Sequence, residues 1–255
     1  MILTVDIGNS NIVLGGVEGE KICFVSRINT DTVKTSDQYC IELKILLDLH
    51  GVSCSQIEGC IIASVVPQAM NSVRTAINKL MDIRCLLVGP GLKTGLNIRI
   101  DNPSQTGADL VVGAVAALRE HKPPLIIVDM GTATTIIALD HTGALIGGSI
   151  SPGVKISLDA LTDRTALLPG IQLDQPKRVI GRNTIDCMRS GIMYGTAGML
   201  DGLIERMEEE LGSSATVIAT GGIARFITPL CRHTMCYDKD LLIKGLAALY
   251  YENTR

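Results

Sequence analysis

A chain of 255 residues, 46% hydrophobic and 19% charged with a formal net charge of −3, can form one large domain or two halves with substantial cores. That excludes a disordered polyelectrolyte and a highly charged electrostatic binder. Its 26 glycines against 9 prolines, 3% aromatic residues and no tryptophan favour tight turns and close backbone approach over stacking platforms, which argues against general nucleic-acid binding.

Residues 1 to 30 read as three strands of a meander, MILTVDIG, NIVLGGV and KICFVSRI, punctuated by glycine. Thr35 to His50 carries Tyr39, Ile41, Leu43, Ile45, Leu46, Leu47 and Leu49 and reads as a helix that Gly51 closes. A strand CIIASVV ending at Pro67, a helix from Gln68 to Met81, a strand CLLVGPG and an Ala/Val-rich helix from Ala108 to Glu120 follow. This alternation predicts an α/β protein with a largely parallel, helix-covered sheet.

After His121-Lys122-Pro123-Pro124 the pattern restarts with LIIVDMGTATTIIALD. DIGNSNIVLGGV from Asp6 and DMGTATTIIALD from Asp129 share Asp, any residue, Gly, small polar residues and a β-branched strand. Two related halves, residues 1–118 and 119–255, facing each other across a cleft are therefore expected. The second half continues with GALIGGSISPG as a hairpin and loop, a helix from Val154 to Asp163 and a polar, proline-bearing stretch from Thr165 to Arg182. A long helix then runs from Thr184 to Leu211, and its Gly191, Gly195, Gly198 and Gly202 make a small-residue stripe suited to close helix packing. TVIATGG reads as the last strand and Asp240 to Tyr251 as a terminal amphipathic helix.

The opening MILTVDIGNSNIV lacks the positive flank and apolar core of an export signal, and no run reaches the roughly 18 to 20 apolar residues of a membrane span. A cytoplasmic chain without a membrane role is expected. Cys23, Cys40, Cys54, Cys60, Cys85, Cys187, Cys231 and Cys236 follow no metal or redox spacing and read mostly as core thiols. His50, His121, His141 and His233 are scattered, in structural or surface settings rather than at ligand spacing.

The chemistry concentrates in glycine turns. Asp6-Ile7-Gly8-Asn9-Ser10-Asn11 joins a carboxylate at a strand end to a glycine and small donors, a turn suited to nucleotide phosphates with Asp6 holding Mg²⁺ directly or through water. By itself the same run also reads as a tight hairpin. The second copy, Asp129 to Thr135, adds a cluster of threonine hydroxyls, and two such turns can clamp a polyphosphate. Gly221-Gly222 after TVIAT offers a surface without Cβ for an adenine, or simple strand-to-helix geometry. Asp109, after Gly107 and Ala108, fits the first turn of a helix as a cap, or a carboxylate that takes the proton of an attacking hydroxyl. Thr184, at the entry to the long helix, can offer a hydroxyl to a ligand.

Taken in order, DIGNSNI, NPSQTGAD, DMGTATT, GGSISPG, GRNTIDCMRSGIMYG and ATGG resemble the type III pantothenate kinases of the sugar kinase, actin and chaperone ATPase superfamily, over nearly the whole length. The resemblance implies duplicated ribonuclease-H-like, actin-like ATPase halves with the nucleotide in the cleft, and ATP-dependent phosphorylation of pantothenate, the first step of coenzyme A biosynthesis. It implies that Asp6, Ile7, Gly8, Asn9, Ser10, Asn11, Ile12 and Val13 line the ATP phosphates, that Thr132 contacts ATP, and that Asp109 is the proton acceptor within a pantothenate-binding segment Gly107, Ala108, Asp109, Leu110. It further implies Asp129 as ligand of a monovalent cation, K⁺ or NH₄⁺, beside Mg²⁺, and a homodimer formed through the long helix with Thr184 reaching pantothenate across the interface. The family commonly has Arg where this chain has Leu110, so a cation is missing there; Lys93, Arg99, Lys155 and Arg164 are the candidates to replace it. A kinase for another alcohol or sugar, and a nucleotide-binding regulator without turnover, are the alternative readings.

Overall fold

The alternating run ILTVDI forms β1 (Ile2–Ile7), whose pleat sends Leu3, Val5 and Ile7 into a core on one side and Thr4 and Asp6 to the other. In this computed structural model, which describes residues 1–254, β2 (Asn11–Glu18) and β3 (Lys21–Asn29) follow as antiparallel neighbours. α1 (Ser36–Leu49) starts from a capping box between Thr35 and Gln38. Beyond it, β4 (Gly59–Ser64) adds in parallel to β1, α2 (Pro67–Met81) starts on its proline, and β5 (Cys85–Leu87) completes the order β3-β2-β1-β4-β5. α1 and α2 pack Tyr39, Leu43, Leu47, Val73 and Ile77 over Leu3, Val5 and Ile7. α3 (Ala108–Glu120) covers the opposite face, with Val112 and Val115 clustered beside Ile61 and Ala63 of β4.

The second unit repeats the plan. β6 (Leu125–Met130), β7 (Ala133–Leu139) and β8 (Leu145–Pro152) are antiparallel neighbours. α4 (Val154–Asp163) and α5 (Thr184–Leu211) come next, then β9 (Thr216–Thr220), the single-turn α6 (Ala224–Ile227) and the two-residue β10 (Cys236–Tyr237). The order β10-β9-β6-β7-β8 occupies the same places as the first sheet's. Both sheets are mixed, which corrects the expectation of a largely parallel one. The short turns after β1 and β6 can join only antiparallel strands, and parallel pairing begins where a helix makes the crossover. GALIGGSISPG is not a hairpin by itself but the second arm of one, its Leu145–Pro152 forming β8 antiparallel to β7. The turn that joins the two arms runs from Asp140 into Gly143 and Ala144, where Asp140 Oδ1 accepts the N–H groups of Thr142 and Ala144.

α5 buries Met193, Ala197, Leu200 and Ile204 against Ile126, Val128 and Met130, while Gly191, Gly195 and Gly198 are exposed on its other side. The closing helix, α7 (Leu241–Thr254), is not part of the second unit. The division of the chain is 1–96, 101–119 and 240 onward for the first unit, 97–100 and 120–239 for the second. The 118/119 cut therefore misses α7, because three glycines accept it on the first sheet and α3. A Cβ on Gly15 would meet Ile243 at 2.7 Å, one on Gly59 would collide with the Tyr250 hydroxyl, and one on Gly245 would collide with Val112. This docking also makes α7 buried along most of its first ten residues rather than amphipathic.

The cysteines depart from the core reading. Cys60 alone is fully buried; Cys23, Cys187 and Cys236 are exposed and the rest lie between. Among the described residues none is in a disulfide.

Asp201, buried on α5, ties down the segment before β10. Its carboxylate accepts the N–H groups of Arg232 and His233 at 2.9 to 3.0 Å and faces His233 Nδ1 at 3.1 Å. Burial pushes its carboxyl up, but these donors outweigh that and hold it below the ordinary carboxylate range. A depressed folded value stabilises the fold above the unfolded pKa and loses that contribution as pH falls through the folded one. Asp201→Asn is expected to cost about 1.5 to 3 kcal/mol at pH 7, with the gap to wild type closing below pH 4. Urea unfolding at pH 7 and pH 3 measures it.

Candidate active site

Within the first unit the strand ends do the positioning. Asp6 is the penultimate residue of β1, pairs with Val13 and Ala63, and lies on the face that α3 covers. The β1–β2 connection is only three residues, Gly8, Asn9 and Ser10, closed by Gly8 N–H to the Asn11 carbonyl at 3.0 Å. Ile7 and Ile12 are buried and anchor the turn, whereas Asn9 and Ser10 are exposed at its tip. Of the expected ATP-lining residues, Ile7 and Ile12 are thus core residues that hold the turn, and the donors are its polar members.

Asp109 sits in the first turn of α3, and both readings of it have a physical basis. Its Oδ1 accepts the Leu110 N–H at 2.9 Å, which serves the helix end. Burial nonetheless raises its carboxyl above the ordinary value, the backbone donors only partly opposing the shift. Gly107 makes this placement possible, since a Cβ there would lie 2.3 Å from Asp109 Oδ1. Val112, one turn along, belongs to the cluster that includes Ala63, the strand partner of Asp6, so Asp109 and Asp6 share one side of the first sheet.

In the second unit Asp129 is the penultimate residue of β6, opposite Thr135 on β7 and Thr220 on β9. The β6–β7 connection, Gly131-Thr132, is closed by Gly131 N–H to the Ala133 carbonyl at 3.0 Å. Two glycines wall this turn. A Cβ on Gly153, at the start of α4, would stand 2.2 Å from the Thr132 carbonyl oxygen and 2.7 Å from that of Gly131. Gly221, just past β9, has φ of +97° and packs on the Met130 backbone, where a Cβ would approach the carbonyl oxygen to 2.5 Å. Gly221 is therefore needed for the turn at β6 whether or not a base lies on it. Gly153 was not singled out by the sequence reading as a site residue; its signal was the Pro152-Gly153 pair at a strand-to-helix junction.

Thr184 is the first residue of α5 and exposed; its neighbour Asn183 is the cap, accepting the Asp186 N–H at 2.8 Å. Of the cations offered as substitutes for the missing Arg, Arg99 is engaged with Asp140 at 3.4 Å in the second unit. Lys155 and Arg164 are exposed at the two ends of α4.

Among the described residues no group of three or more His, Cys, Asp and Glu side chains gathers as a metal cage. Single carboxylates at strand ends fit a hard cation that arrives on phosphates and keeps most of its water, as Mg²⁺ does.

A family model described as type III pantothenate kinase matches residues 2–206. A type III pantothenate kinase of Exiguobacterium sp. is 45% identical over 255 residues, covering 100% of both chains. Another, of Bacillus cytotoxicus, is 44% identical over 99% of this chain and 97% of its own. Among solved structures, (R)-2-hydroxyglutaryl-CoA dehydratase component A of Acidaminococcus fermentans superposes with a TM-score of 0.60 at 12% identity, covering 100% of this chain and 99% of its own. The last likeness is one of fold, the actin-like ATPase plan of two related α/β halves.

Proposed function

The chain belongs to the type III pantothenate kinase family, and from that premise we propose that it phosphorylates the primary hydroxyl of pantothenate with ATP, the first step of coenzyme A biosynthesis. The observation that carries this reading is likeness along the entire length, at 45% identity, to a kinase of that name. Asp109 is the group that takes the proton. As the hydroxyl oxygen bonds to the γ-phosphorus, the bond to the β-phosphate oxygen breaks, ADP leaves, and the proton passes to the Asp109 carboxylate. Its raised carboxyl supports that role, because a carboxylate drawn toward neutral pH is a stronger base.

The Gly8–Asn11 turn binds the phosphates with Asp6 beside their Mg²⁺, which supplies charge neutralisation when bound. Thr132 contacts ATP, and Gly221-Gly222 gives its base a backbone surface. Asp129, with threonine oxygens around it, holds a monovalent cation, K⁺ or NH₄⁺. Gly107, Ala108 and Leu110 contact pantothenate together with Asp109. The protein acts in the cytoplasm as a homodimer joined along α5, where the outward-facing Gly191, Gly195 and Gly198 leave room for a second helix, and Thr184 reaches pantothenate bound by the partner subunit. Among the described residues no helix is long and apolar enough to cross a membrane.

Coupled ADP release tests this directly, with and without pantothenate, in K⁺ and then Na⁺ buffer, alongside sedimentation for the mass. Pantothenate-stimulated, K⁺-dependent turnover by a species of twice 27.2 kDa is expected. Leu110 favours a second reading, a related alcohol as acceptor, because the segment offers no guanidinium to a carboxylate. A panel of alcohols and sugars in which another acceptor outperforms pantothenate would move the assignment there.

A further inference from the structure

Two turns of similar sequence are held in different ways. The second is walled by glycines; the first is held by a residue outside the motif. Thr30, just past β3, donates its Oγ1–H to the Gly8 carbonyl at 2.6 Å and its N–H to the Ser10 carbonyl at 3.1 Å. Its hydroxyl and its backbone thus fix the carbonyls of Gly8 and Ser10, the residues on either side of Asn9. Because the peptide unit is planar and trans, pinning the Gly8 carbonyl toward Thr30 turns the Asn9 N–H the opposite way. Thr30 is itself anchored. Asp31, its neighbour, donates its N–H to Tyr39 Oη at 3.1 Å and accepts the Tyr39 hydroxyl at 2.8 Å on its carbonyl. Tyr39 lies fully buried in the core beneath α1.

We propose that Thr30 is a positioning residue for ATP: it presets the Gly8–Asn11 turn so that the Asn9 N–H is aimed at phosphate before nucleotide binds, with Tyr39 fixing Thr30 from the core. The proposal rests on the reading of this turn as the phosphate site. Preorientation matters because a free turn must give up conformational freedom on binding, and that loss subtracts from affinity. Thr30 makes no claim on pantothenate, so its effect falls on one substrate only.

The test compares Thr30→Val, which keeps the shape and the N–H but removes the hydroxyl, with Thr30→Ser, which restores it. Thr30→Val is expected to raise the KM for ATP, and the Kd for Mg-ATP by calorimetry, about tenfold, with the KM for pantothenate at saturating ATP within about twofold and Thr30→Ser close to wild type. An unchanged ATP affinity in Thr30→Val overturns the proposal. So does a Thr30→Ser protein as impaired as Thr30→Val, or a pantothenate KM that rises in step with that for ATP. Calorimetry keeps the two failures apart. If wild type binds Mg-ATP but turns over no pantothenate, the kinase reading fails and the Thr30 comparison is still decided by nucleotide affinity. If wild type binds no Mg-ATP, the phosphate site and the proposal fall together.

Discussion

Asp109→Asn is expected to reduce pantothenate-dependent turnover by about 10²- to 10⁴-fold, the span general-base removal typically gives, while ATP binding persists. It is also expected to make the protein more stable at pH 7, an effect a merely structural cap would not produce. The reason is the sign of the shift. Burial raises the folded carboxyl above its unfolded value, so the stability this group contributes is present below the unfolded pKa and lost as pH rises through the folded one. At neutral pH the charged side chain carries its burial cost, and the neutral amide does not. Melting temperatures at pH 7 and pH 4 measure this, with the variant's advantage narrowing at the lower pH. A variant that is both active and less stable would return Asp109 to its helix-capping reading.

Gly221→Ala is expected to have the largest effect in the second unit. Two costs coincide: the left-handed backbone disfavours any side chain by about 1 to 2 kcal/mol, and the new methyl would press on the Met130 backbone, displacing the strand end that carries Asp129. Gly153→Ala meets the Thr132 carbonyl instead and should weaken ATP binding in the same direction without a backbone penalty, its φ being −65°. Gly170→Ala, with open space around it, is the control. We expect a lower melting temperature and a lower ATP affinity for both Gly221→Ala and Gly153→Ala, and neither for Gly170→Ala. Equal behaviour of all three would mean that the Gly131-Thr132 turn tolerates movement.

Much of this was legible in the letters, for reasons that also explain what was not. α5 could be bounded at Thr184 and Leu211 because Asn183 and Gly212 are local start and stop signals whose effect needs no distant partner. The Asp-Gly turns were legible because the bond that closes each one, Gly8 N–H to Asn11 and Gly131 N–H to Ala133, lies within its own motif; the distant residues that hold them, Thr30, Gly153 and Gly221, were not. The two-residue β10 was missed, since a strand that short is defined by its neighbour β9 and carries no period of its own. The facing of Gly191, Gly195 and Gly198 was not legible either. Spacing says that small residues share a side of a helix, whereas burial of Met193, Ala197 and Leu200 decides which side meets the sheet. Thr30 lies 22 residues from Gly8 in a segment without motif character, and its contact exists only because β3 returns beside β2.

The placement of α7 has a consequence for how the molecule is made. Residues 120–239, with 97–100, complete the second unit, so that unit has its whole sequence before α7 has been translated. The first sheet, begun at residue 2, waits with Gly15, Gly59 and its α7-facing side chains uncovered until residues 241–254 leave the ribosome. The half synthesised first is therefore the half finished last. A stop just before codon 241 would spare every residue assigned to chemistry, yet leave an apolar sheet face exposed to chaperones and proteases.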